Sequence, residues 1–418
     1  MDVRQGLNPR QRAEPAHARG NAQSGKASGA KFAIMAYTLC VIMAGATLAS
    51  PLYPLYESAF HMGPGGVSVA YTTYMAGTLL ALLFLGHLSD HFGHIRTLIW
   101  ATSLAIAGLA LCGVAPGLAA LAVGRLAIGV AAGIASTAAT AGLVAVSTPQ
   151  RITHASSIGA LMTIVGLGLG PLVAGVVAQF LPAPLHVPYL VFGAALALAL
   201  IVLLWHRHDM APGANTTFIP RMRFLLPDAQ HLRSFLVVAV LTFVGYTLFS
   251  IFASLAPSFV NTYLPWHGPA AGGIGVAMLF AGSAAAQLTL RGSSPRKGIF
   301  YGALMVILAL AMLALSIVFA SGFLFIASDL LGGFGQGLAF MSALFFVNTV
   351  TTSERRSGMI ASFFTIAYTG GIVPVLALGL ASSQFGLDRS LIALCAALIV
   401  LTGSLALVSR RQLQEVTR

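Results

Sequence analysis

Twelve long apolar segments, separated by short polar connections, make up most of the sequence. Each is long enough to cross the ~30 Å hydrocarbon core of a membrane as an α-helix, which rises ~1.5 Å per residue. The apolar runs are continuous, as in membrane helices, and do not alternate as strand residues do. We therefore predict an all-α integral membrane protein with twelve transmembrane helices, numbered here as spans 1 to 12. Their predicted limits are 33–55, 66–86, 95–115, 118–146, 156–181, 188–206, 233–260, 271–291, 298–319, 322–349, 357–383 and 389–409.

The charged residues predict how the chain is oriented. Only 8% of the residues are charged, whereas about a quarter are charged in an average globular chain. Twenty of the 22 Lys and Arg residues lie on one side of the predicted membrane. This bias predicts cytoplasmic termini in a multi-pass protein of the cell's inner (plasma) membrane. The charges are spread over short connections rather than gathered in one patch, so the net charge of +12 does not indicate a nucleic-acid partner.

A long polar interruption, 206–233, leaves six spans on either side and predicts two bundles. A shift of 204 residues aligns them, with Gly129 on Gly333 and Arg151 on Arg355. Chance matching of small residues is the alternative, but an arginine at the same loop position in both halves disfavours it. Such repeats are typical of transporters whose site lies between the halves. The predicted segments are a disordered cytoplasmic tail (1–31), an N-terminal six-helix bundle (32–206), a cytoplasmic linker (207–232), a C-terminal six-helix bundle (233–409) and a cytoplasmic tail (410–418).

The same shift places Arg125 of span 4 on Asp329 of span 10. Each lies ~10 Å deep, and a charge at the centre of a membrane helix costs ~2.5–3.5 kcal/mol on insertion scales. One hypothesis is a structural ion pair or packing pair. In the other, Asp329 binds and releases a coupling proton, because burial disfavours its carboxylate and an approaching Arg125 favours it. Arg125 could instead bind an anionic group of a substrate.

A short polar run between spans 2 and 3 combines glycines with an acid and a base. These positions are Gly86, Asp90, Gly93 and Arg96. A tight glycine turn can hold a carboxylate against a helix N-terminus and nearby cations. The run resembles the signature loop of the major facilitator superfamily. That resemblance implies two pseudo-symmetric six-helix bundles and a conformational latch, in which Asp90 holds the cytoplasmic ends of the halves together. His91 and His94 stand where the superfamily has Arg or Lys, which predicts a latch whose strength varies with pH.

The histidines of this run allow a second interpretation, as metal ligands. His87, His91 and His94 have the i, i+4, i+7 spacing that places imidazoles on one face of a helix. Gly93 interrupts that helix, and no thiolate lies near, so we predict no metal site. We expect no cofactor, and no phosphate-binding loop for ATP is present.

Two further stretches resemble superfamily patterns. Residues 121–133 resemble the fourth-helix pattern of an intramembrane arginine followed by small residues, with Ile128 in place of the usual glutamine. Span 5 resembles the motif of the superfamily's twelve-helix drug:proton antiporters, with Ala174 in place of the first of two glycines. Generic packing of membrane helices is the alternative, since small residues allow close approach and proline bends a helix. The antiporter-like positions are Gly166, Gly170, Pro171 and Gly175.

The resemblance also implies that spans 1, 4, 7 and 10 line a central cavity. The candidates on these spans are polar side chains: Tyr37, Thr47, Thr137, Thr140, Tyr246, Gln336 and Asn348. Most Phe residues lie in the second half, which suits an apolar or aromatic substrate, although packing against lipid explains them equally well. We expect prolines to bend the end of span 1 and Glu57, which follows them, to be solvated.

These features predict a secondary active transporter, not an enzyme, that works as a monomer by alternating access. We favour proton-coupled antiport that exports a small amphipathic organic compound, because span 5 resembles the antiporter motif. The alternative is a proton symporter that takes up a small metabolite such as a carboxylate or sugar, with Arg125 as the carboxylate site. A membrane-embedded sensor or enzyme is more remote, since it would need clustered catalytic groups or a soluble domain. The expected partners are the small-molecule substrate, protons and the lipid bilayer.

Overall fold

The structure, a computed structural model, describes residues 14–206, 224–263, 267–289, 294–351 and 355–412. Within these ranges the chain forms helices and no strands, and twelve helical segments are long and apolar enough to cross a membrane. The predicted fold class is therefore confirmed. Parts of the predicted tails and linker, at 1–13, 207–223 and 413–418, lie outside the described residues.

The helices of the first six spans are Glu14–Thr47 with Tyr53–Ala59, Pro64–Phe84, His94–Gly113, Leu118–Ala145, Ile152–Phe180 and Val187–Trp205. Spans 7 to 12 are Ala229–Tyr263, Pro269–Thr289, Pro295–Val318, Gly322–Thr349, Arg356–Phe385 and Leu387–Gln412. Shorter helical turns occupy Ser50–Leu52, Leu88–Phe92 and Pro149–Arg151. Proline stands in the first turn of several spans, where its missing N–H leaves no helical hydrogen bond unmade.

Span 1 changes direction before it leaves the membrane. Its long helix ends at Thr47, a 3-10 turn follows, and a short helix begins at Tyr53. Pro51 and Pro54 cannot donate backbone hydrogen bonds, so a continuous helix is interrupted here. The predicted bend at the end of this span is confirmed.

The beginning of span 1 corrects one prediction. Its helix starts at Glu14, so residues 14–31, predicted to be disordered, are helical. The membrane span acts as a preformed nucleus, and the alanines that precede it have the highest helix propensity, so the helix extends beyond the apolar segment.

Helix contacts repeat from one half to the other. Span 4 packs against spans 2 and 3, and span 10 packs against spans 8 and 9 in the same way. Span 1 packs on span 5 as span 7 packs on span 11. The halves meet where span 5 contacts span 8 and where span 11 contacts span 2. Span 11 is the counterpart of span 5 and span 8 that of span 2, so the two contacts are equivalent in the repeat. The structure therefore consists of two pseudo-symmetric six-helix bundles.

Glycines at matched positions make the same close contacts in both halves. A Cβ on Gly129 would overlap the carbonyl oxygen of Tyr74, and a Cβ on Gly333 would overlap that of Leu279. Both glycines let an inner helix touch the backbone of its neighbour. The alignment of the two halves therefore reflects a structural repeat rather than chance similarity.

Two faces of the molecule need names. An even number of spans returns the chain to the face from which span 1 starts, and we call this the terminal face. It carries the polar turn between spans 2 and 3. The opposite face, where spans 2 and 8 begin and spans 5 and 11 end, is the far face.

Candidate functional site

Arg125 is held inside the N-terminal half by backbone carbonyls and an aromatic ring. Its side chain is 1% exposed. Nη1 donates a hydrogen bond to the carbonyl oxygen of Ala46 at 2.6 Å, and Nε donates to that of Ala70 at 3.4 Å. The guanidinium carbon lies 4.8 Å from the centroid of the Tyr74 ring. Peptide dipoles and a cation–π contact therefore stabilise the buried charge.

One edge of this guanidinium remains unsatisfied. In the described chain Nη2 makes no hydrogen bond, and neither does the buried hydroxyl of Tyr53. Tyr53 follows the bend in span 1, and its hydroxyl lies beside the Arg125 guanidinium in a geometry that makes no hydrogen bond. Buried polar atoms are nearly always paired, so this edge is suited to a water molecule or another hydrogen-bond acceptor.

Asp329, the repeat counterpart of Arg125, has no comparable cage. Its side chain is 1% exposed, and neither carboxyl oxygen has a hydrogen-bond partner among the described residues. At the shift of 204 residues, Pro257 and Met278 stand at the positions of Tyr53 and Tyr74, and neither carries a hydroxyl group. No ion pair joins Asp329 to Arg125 in the part of the chain that the structure describes. The repeat thus places opposite charges in two chemically different surroundings.

The cavity candidates of the N-terminal half are hydrogen-bonded within that half. The Tyr37 hydroxyl donates to the carbonyl oxygen of Ala195 in span 6 at 3.2 Å, so this side chain points towards span 6 rather than towards the other half. Thr47 donates to the carbonyl oxygen of Leu167 in span 5 at 2.8 Å. Thr137 and Thr140 donate to carbonyl oxygens of their own helix.

The cavity candidates of the C-terminal half make three different kinds of contact. Gln336 accepts a hydrogen bond from Ser283 of span 8 at 3.4 Å, and its side chain lies over Gly245 of span 7. Asn348 donates to the carbonyl oxygen of Leu344 in its own helix at 2.8 Å. Tyr246 instead contacts aromatic rings from two other spans.

Four aromatic side chains of spans 7, 10 and 11 form a closed circuit, which we call the aromatic wall: Tyr246, Phe340, Phe364 and Tyr368. The ring centroids of Tyr246 and Phe340 are 6.0 Å apart, and those of Phe340 and Phe364 are 6.1 Å apart. The circuit continues from Phe364 to Tyr368 at 6.3 Å and returns to Tyr246 at 5.3 Å. These separations fall within the range of favourable aromatic contacts. The sequence shows a surplus of Phe in this half but does not indicate which rings meet.

The antiporter-like motif of span 5 faces two ways. A Cβ on Gly166 or Gly170 would overlap a backbone carbonyl of span 1. Pro171 and Gly175 face span 8 of the other half: a Cβ on Gly273 would overlap the carbonyl oxygen of Pro171, and one on Gly175 would come within 2.5 Å of that of Pro269. The motif therefore lets span 5 pack tightly within its own bundle and also across the boundary.

The far face is sealed by a pair of contacts that the repeat relates. Gly175 lies on Pro269, and Gly379 lies on Gly65, where a Cβ on Gly65 would be 3.4 Å from the Gly379 carbonyl oxygen. Gly379 lies 204 residues after Gly175, and Pro269 lies 204 residues after Gly65. With glycine at these positions, no side chain keeps the helices of the two halves apart.

Two hydrogen bonds add to this seal. Ser258 of span 7 donates to Oε2 of Glu57 at 2.7 Å, and the backbone N–H of Ala270 in span 8 donates to Oε1 of Gln179 at 3.2 Å. The sequence predicts a solvated Glu57, and this prediction is wrong, because Glu57 is half-buried and bonded to the other half. Nothing in the sequence pairs Glu57 with Ser258, because the two residues are brought together only by the contact between bundles.

The polar run between spans 2 and 3 lies at the terminal face, opposite the seal. Gly93 has φ 83°, which favours glycine, and it separates the short helix 88–92 from span 3. Gly86 closes the turn after span 2, where a Cβ would lie 2.9 Å from the Leu82 carbonyl oxygen. Asp90 and Arg96 are exposed, and among described residues Asp90 has no side-chain hydrogen bond or ion pair. Among the described residues, no group of three or more His, Cys, Asp or Glu side chains is placed to hold a metal ion.

Twelve membrane spans in two related bundles, with buried charges and a boundary sealed at one face, define a membrane carrier. A model of the Major Facilitator Superfamily matches residues 35–375. The chain belongs to this superfamily and is a secondary transporter of small molecules, a class that typically works as monomers.

Comparisons with individual proteins agree with this family. The chain is 28% identical over 156 residues to the uncharacterized MFS-type transporter YceJ of Bacillus subtilis (strain 168). That match spans 37% of this chain and 39% of the length of YceJ.

Solved structures share the fold at low sequence identity. A bacterial homologue of the human lysosomal transporter Spinster, in an inward-facing and occupied conformation, has a TM-score of 0.71 at 12% identity, over 93% of this chain and 97% of that one. The POT family transporter PepTSo has a TM-score of 0.72 at 13% identity, over 92% and 98% of the two chains.

Proposed function

We propose that this transporter exports a small amphipathic organic compound in exchange for protons. The observation that carries the proposal is Asp329, a carboxyl group buried inside span 10 with no hydrogen-bond partner in the described chain. A buried carboxyl group in such surroundings is far more stable with a proton than without one. Asp329 is therefore suited to carry a proton through part of each cycle.

The direction of opening depends on the orientation of the chain. The Lys and Arg residues lie overwhelmingly on the terminal face, which by the positive-inside bias is the cytoplasmic face of the inner membrane. Both termini are then cytoplasmic, and the sealed far face is external. The resulting conformation is open to the cytoplasm, and a similar fold is found in the Spinster homologue, which is described as inward-facing.

In this conformation Asp329 holds a proton taken up from outside. A compound that enters between the halves from the cytoplasm brings water and polar groups towards span 10, and these stabilise the carboxylate. The proton leaves to the cytoplasm, and the loaded carrier then opens outwards. There the compound leaves and Asp329 is protonated again. Arg125 cannot lose its proton, so it keeps a fixed positive charge in the opposite half throughout the cycle.

The polar run at the terminal face supplies the opposite closure. Asp90 is exposed here, as a latch should be when the face that carries it is open. When the far face opens, the cytoplasmic ends of the halves approach each other, and Asp90 holds them together.

Proton-coupled uptake of a carboxylate is the second candidate. It is favoured by the unsatisfied Nη2 of Arg125 beside the unpaired hydroxyl of Tyr53. A carboxylate that reached this edge would gain a charge-assisted hydrogen bond from each group. Arg125 is 1% exposed in the present conformation, so the carboxylate would reach it only after the far face opens.

The test compares Asp329→Asn with Asp388→Asn in proteoliposomes that contain a pH-sensitive dye. Asp388 is a matched control, since it also carries a carboxyl group but lies at the first turn of span 12. A compound panel added under a proton gradient should drive proton movement with the unmodified protein and with Asp388→Asn, but not with Asp329→Asn. Full proton movement with Asp329→Asn would overturn the proposal. Accumulation of the compounds on the side from which protons come indicates export, and accumulation on the opposite side indicates uptake.

A further inference from the structure

The aromatic wall is partly exposed on one side. Its four rings are only half-buried, whereas Phe363, which packs behind them, is fully buried. Phe363 lies 6.2 Å from the ring of Phe340 and 5.8 Å from that of Phe364. The wall therefore has an enclosed back and an accessible front.

The front of the wall faces the N-terminal half. Tyr246 and Tyr368 each lie one helical turn from a residue that contacts span 2. Ser250 of span 7 accepts a hydrogen bond from the Tyr71 hydroxyl at 3.3 Å, and Gly371 of span 11 lies against Met75. In the described chain neither of the two wall hydroxyls makes a hydrogen bond, and neither is among the enclosed polar atoms without a partner. The hydroxyl groups of Tyr246 and Tyr368 can therefore bond to a molecule that reaches the front of the wall.

The wall is not required by the packing of the fold. At the shift of 204 residues, the four residues of the wall align with Ile42, Ser136, Ala160 and Ile164 of the N-terminal half. These counterparts pack equivalent helices without a single aromatic ring. A role in packing alone would therefore leave unexplained why one half has a closed circuit of rings and two unused hydroxyls.

We propose that the aromatic wall binds the flat ring system of the transported compound, while Tyr246 and Tyr368 bond to a polar group at its edge. Rings stack on the accessible faces of the wall, and a non-planar apolar group of the same size cannot match that surface. The wall contains no charged side chain, so recognition depends on shape and hydrogen bonding rather than on an ion pair. This inference rests on the proposed transport function and narrows its substrate class to planar aromatic compounds with a polar edge.

The experiment measures equilibrium binding to the purified full-length protein in nanodiscs, without a proton gradient. The probe is 1-aminoanthracene, a flat three-ring amine whose fluorescence increases in apolar surroundings. The competitor 1-adamantanamine is similarly apolar but globular. We expect saturable binding of 1-aminoanthracene that an excess of 1-adamantanamine displaces poorly.

Variants locate the binding to the wall. Phe364→Leu should raise the Kd about threefold to tenfold, the loss of one aromatic contact. Phe300→Leu is the matched control, because Phe300 is also half-buried and also pairs with a neighbouring ring, that of Tyr301 at 5.6 Å, but lies on span 9. Its Kd should not change. Tyr368→Phe keeps the ring and removes one hydrogen bond, so it should raise the Kd about threefold. This variant tests the role of the wall if Phe364→Leu does not fold.

The outcomes separate this inference from the proposed function. Unchanged affinity in both wall variants, or equal displacement by 1-adamantanamine, overturns the inference about the wall and leaves proton exchange intact. Loss of affinity in the wall variants together with normal proton movement in Asp329→Asn supports the wall and rejects the role of Asp329.

Discussion

The two halves of this transporter share a backbone but differ in their chemistry. In the N-terminal half, Arg125 is bonded to two carbonyl oxygens and covered by an aromatic ring. Its counterpart Asp329 is equally buried but unbonded among the described residues. The first half therefore holds a permanent charge at a fixed position, and the second holds a group whose charge is easily lost.

A second difference follows the same division. The aromatic wall belongs to the C-terminal half, and aliphatic or small residues occupy the matched positions of the other half. The repeat supplies two packable bundles and a symmetric seal. The features on which the proposed function rests, the unbonded carboxyl group of Asp329 and the aromatic wall, lie where the two halves have diverged.

The largest effects are expected on the stability of the protein, where substitutions of the two buried charges should act with opposite signs. Arg125→Lys keeps the positive charge but cannot reproduce both carbonyl hydrogen bonds, so we expect a loss of about 2–3 kcal/mol of stability. Asp329→Leu removes an unsatisfied polar group from an apolar position, and we expect a gain of about 1–2 kcal/mol. Thermal unfolding followed by tryptophan fluorescence in one detergent provides the measurement. Destabilisation by both substitutions would mean that Asp329 has partners equivalent to those of Arg125.

An intermediate effect is expected at the far-face seal. In Gly175→Val the new side chain meets the Pro269 carbonyl, so the halves cannot close there and the outward-open population should increase at least about tenfold. A cysteine introduced as Ser68→Cys, in a background where the three native cysteines are alanine, reports the opening, because Ser68 is fully buried against Gly379. The measurement is the rate of labelling by a membrane-impermeant maleimide.

Gly193→Val is the control for that experiment. Gly193 lies on span 6, and a Cβ there would meet no atom within 4 Å. Its labelling rate should match that of the Ser68→Cys protein alone. Equal rates in Gly175→Val and Gly193→Val would show that the seal does not depend on close backbone contact.

The smallest effects compare the acids of the two faces. Glu57→Gln replaces a charged acceptor of the Ser258 hydrogen bond by a neutral one, which costs about 1 kcal/mol and should raise labelling of Ser68→Cys about fivefold. Asp90→Asn weakens the latch of the opposite conformation, so it should lower the labelling. The two acids are thus expected to act with opposite signs. A change of the same sign in both variants would contradict the assignment of one acid to each face.

Most of the scaffold could be predicted from the sequence. The twelve spans follow from the length of the apolar runs, and the bend in span 1 follows from Pro51 and Pro54. The alignment of Gly129 with Gly333 anticipated two glycines that make the same contact. These features are local, or repeat at a constant distance along the chain, and so they can be read without knowing which helices touch. In the scaffold, the helical state of 14–31 was missed, since the polar residues and glycines there indicate no helix and the segment extends a helix that begins in the membrane.

The candidate site was predicted less completely. The burial of Arg125 and Asp329 followed from their positions within spans, but the partners of Arg125 are backbone carbonyls, which every residue carries and no sequence pattern identifies. The polarity of Tyr37 and Thr47 suggested a cavity, yet their hydroxyls are used in contacts within one bundle. Polarity indicates that a side chain needs a partner and does not indicate the direction of that partner.

The sequence by itself determined the number of spans, the repeat, the family resemblance and the presence of two buried charges. Only the tertiary structure decided that Arg125 is caged while Asp329 is unpartnered, that Glu57 joins the halves through Ser258, and that four rings from three spans close into a wall. The physical reason lies in range. Hydrophobic length and helix propensity act along the chain, whereas hydrogen bonds and ring contacts act across a few ångströms between residues far apart in sequence.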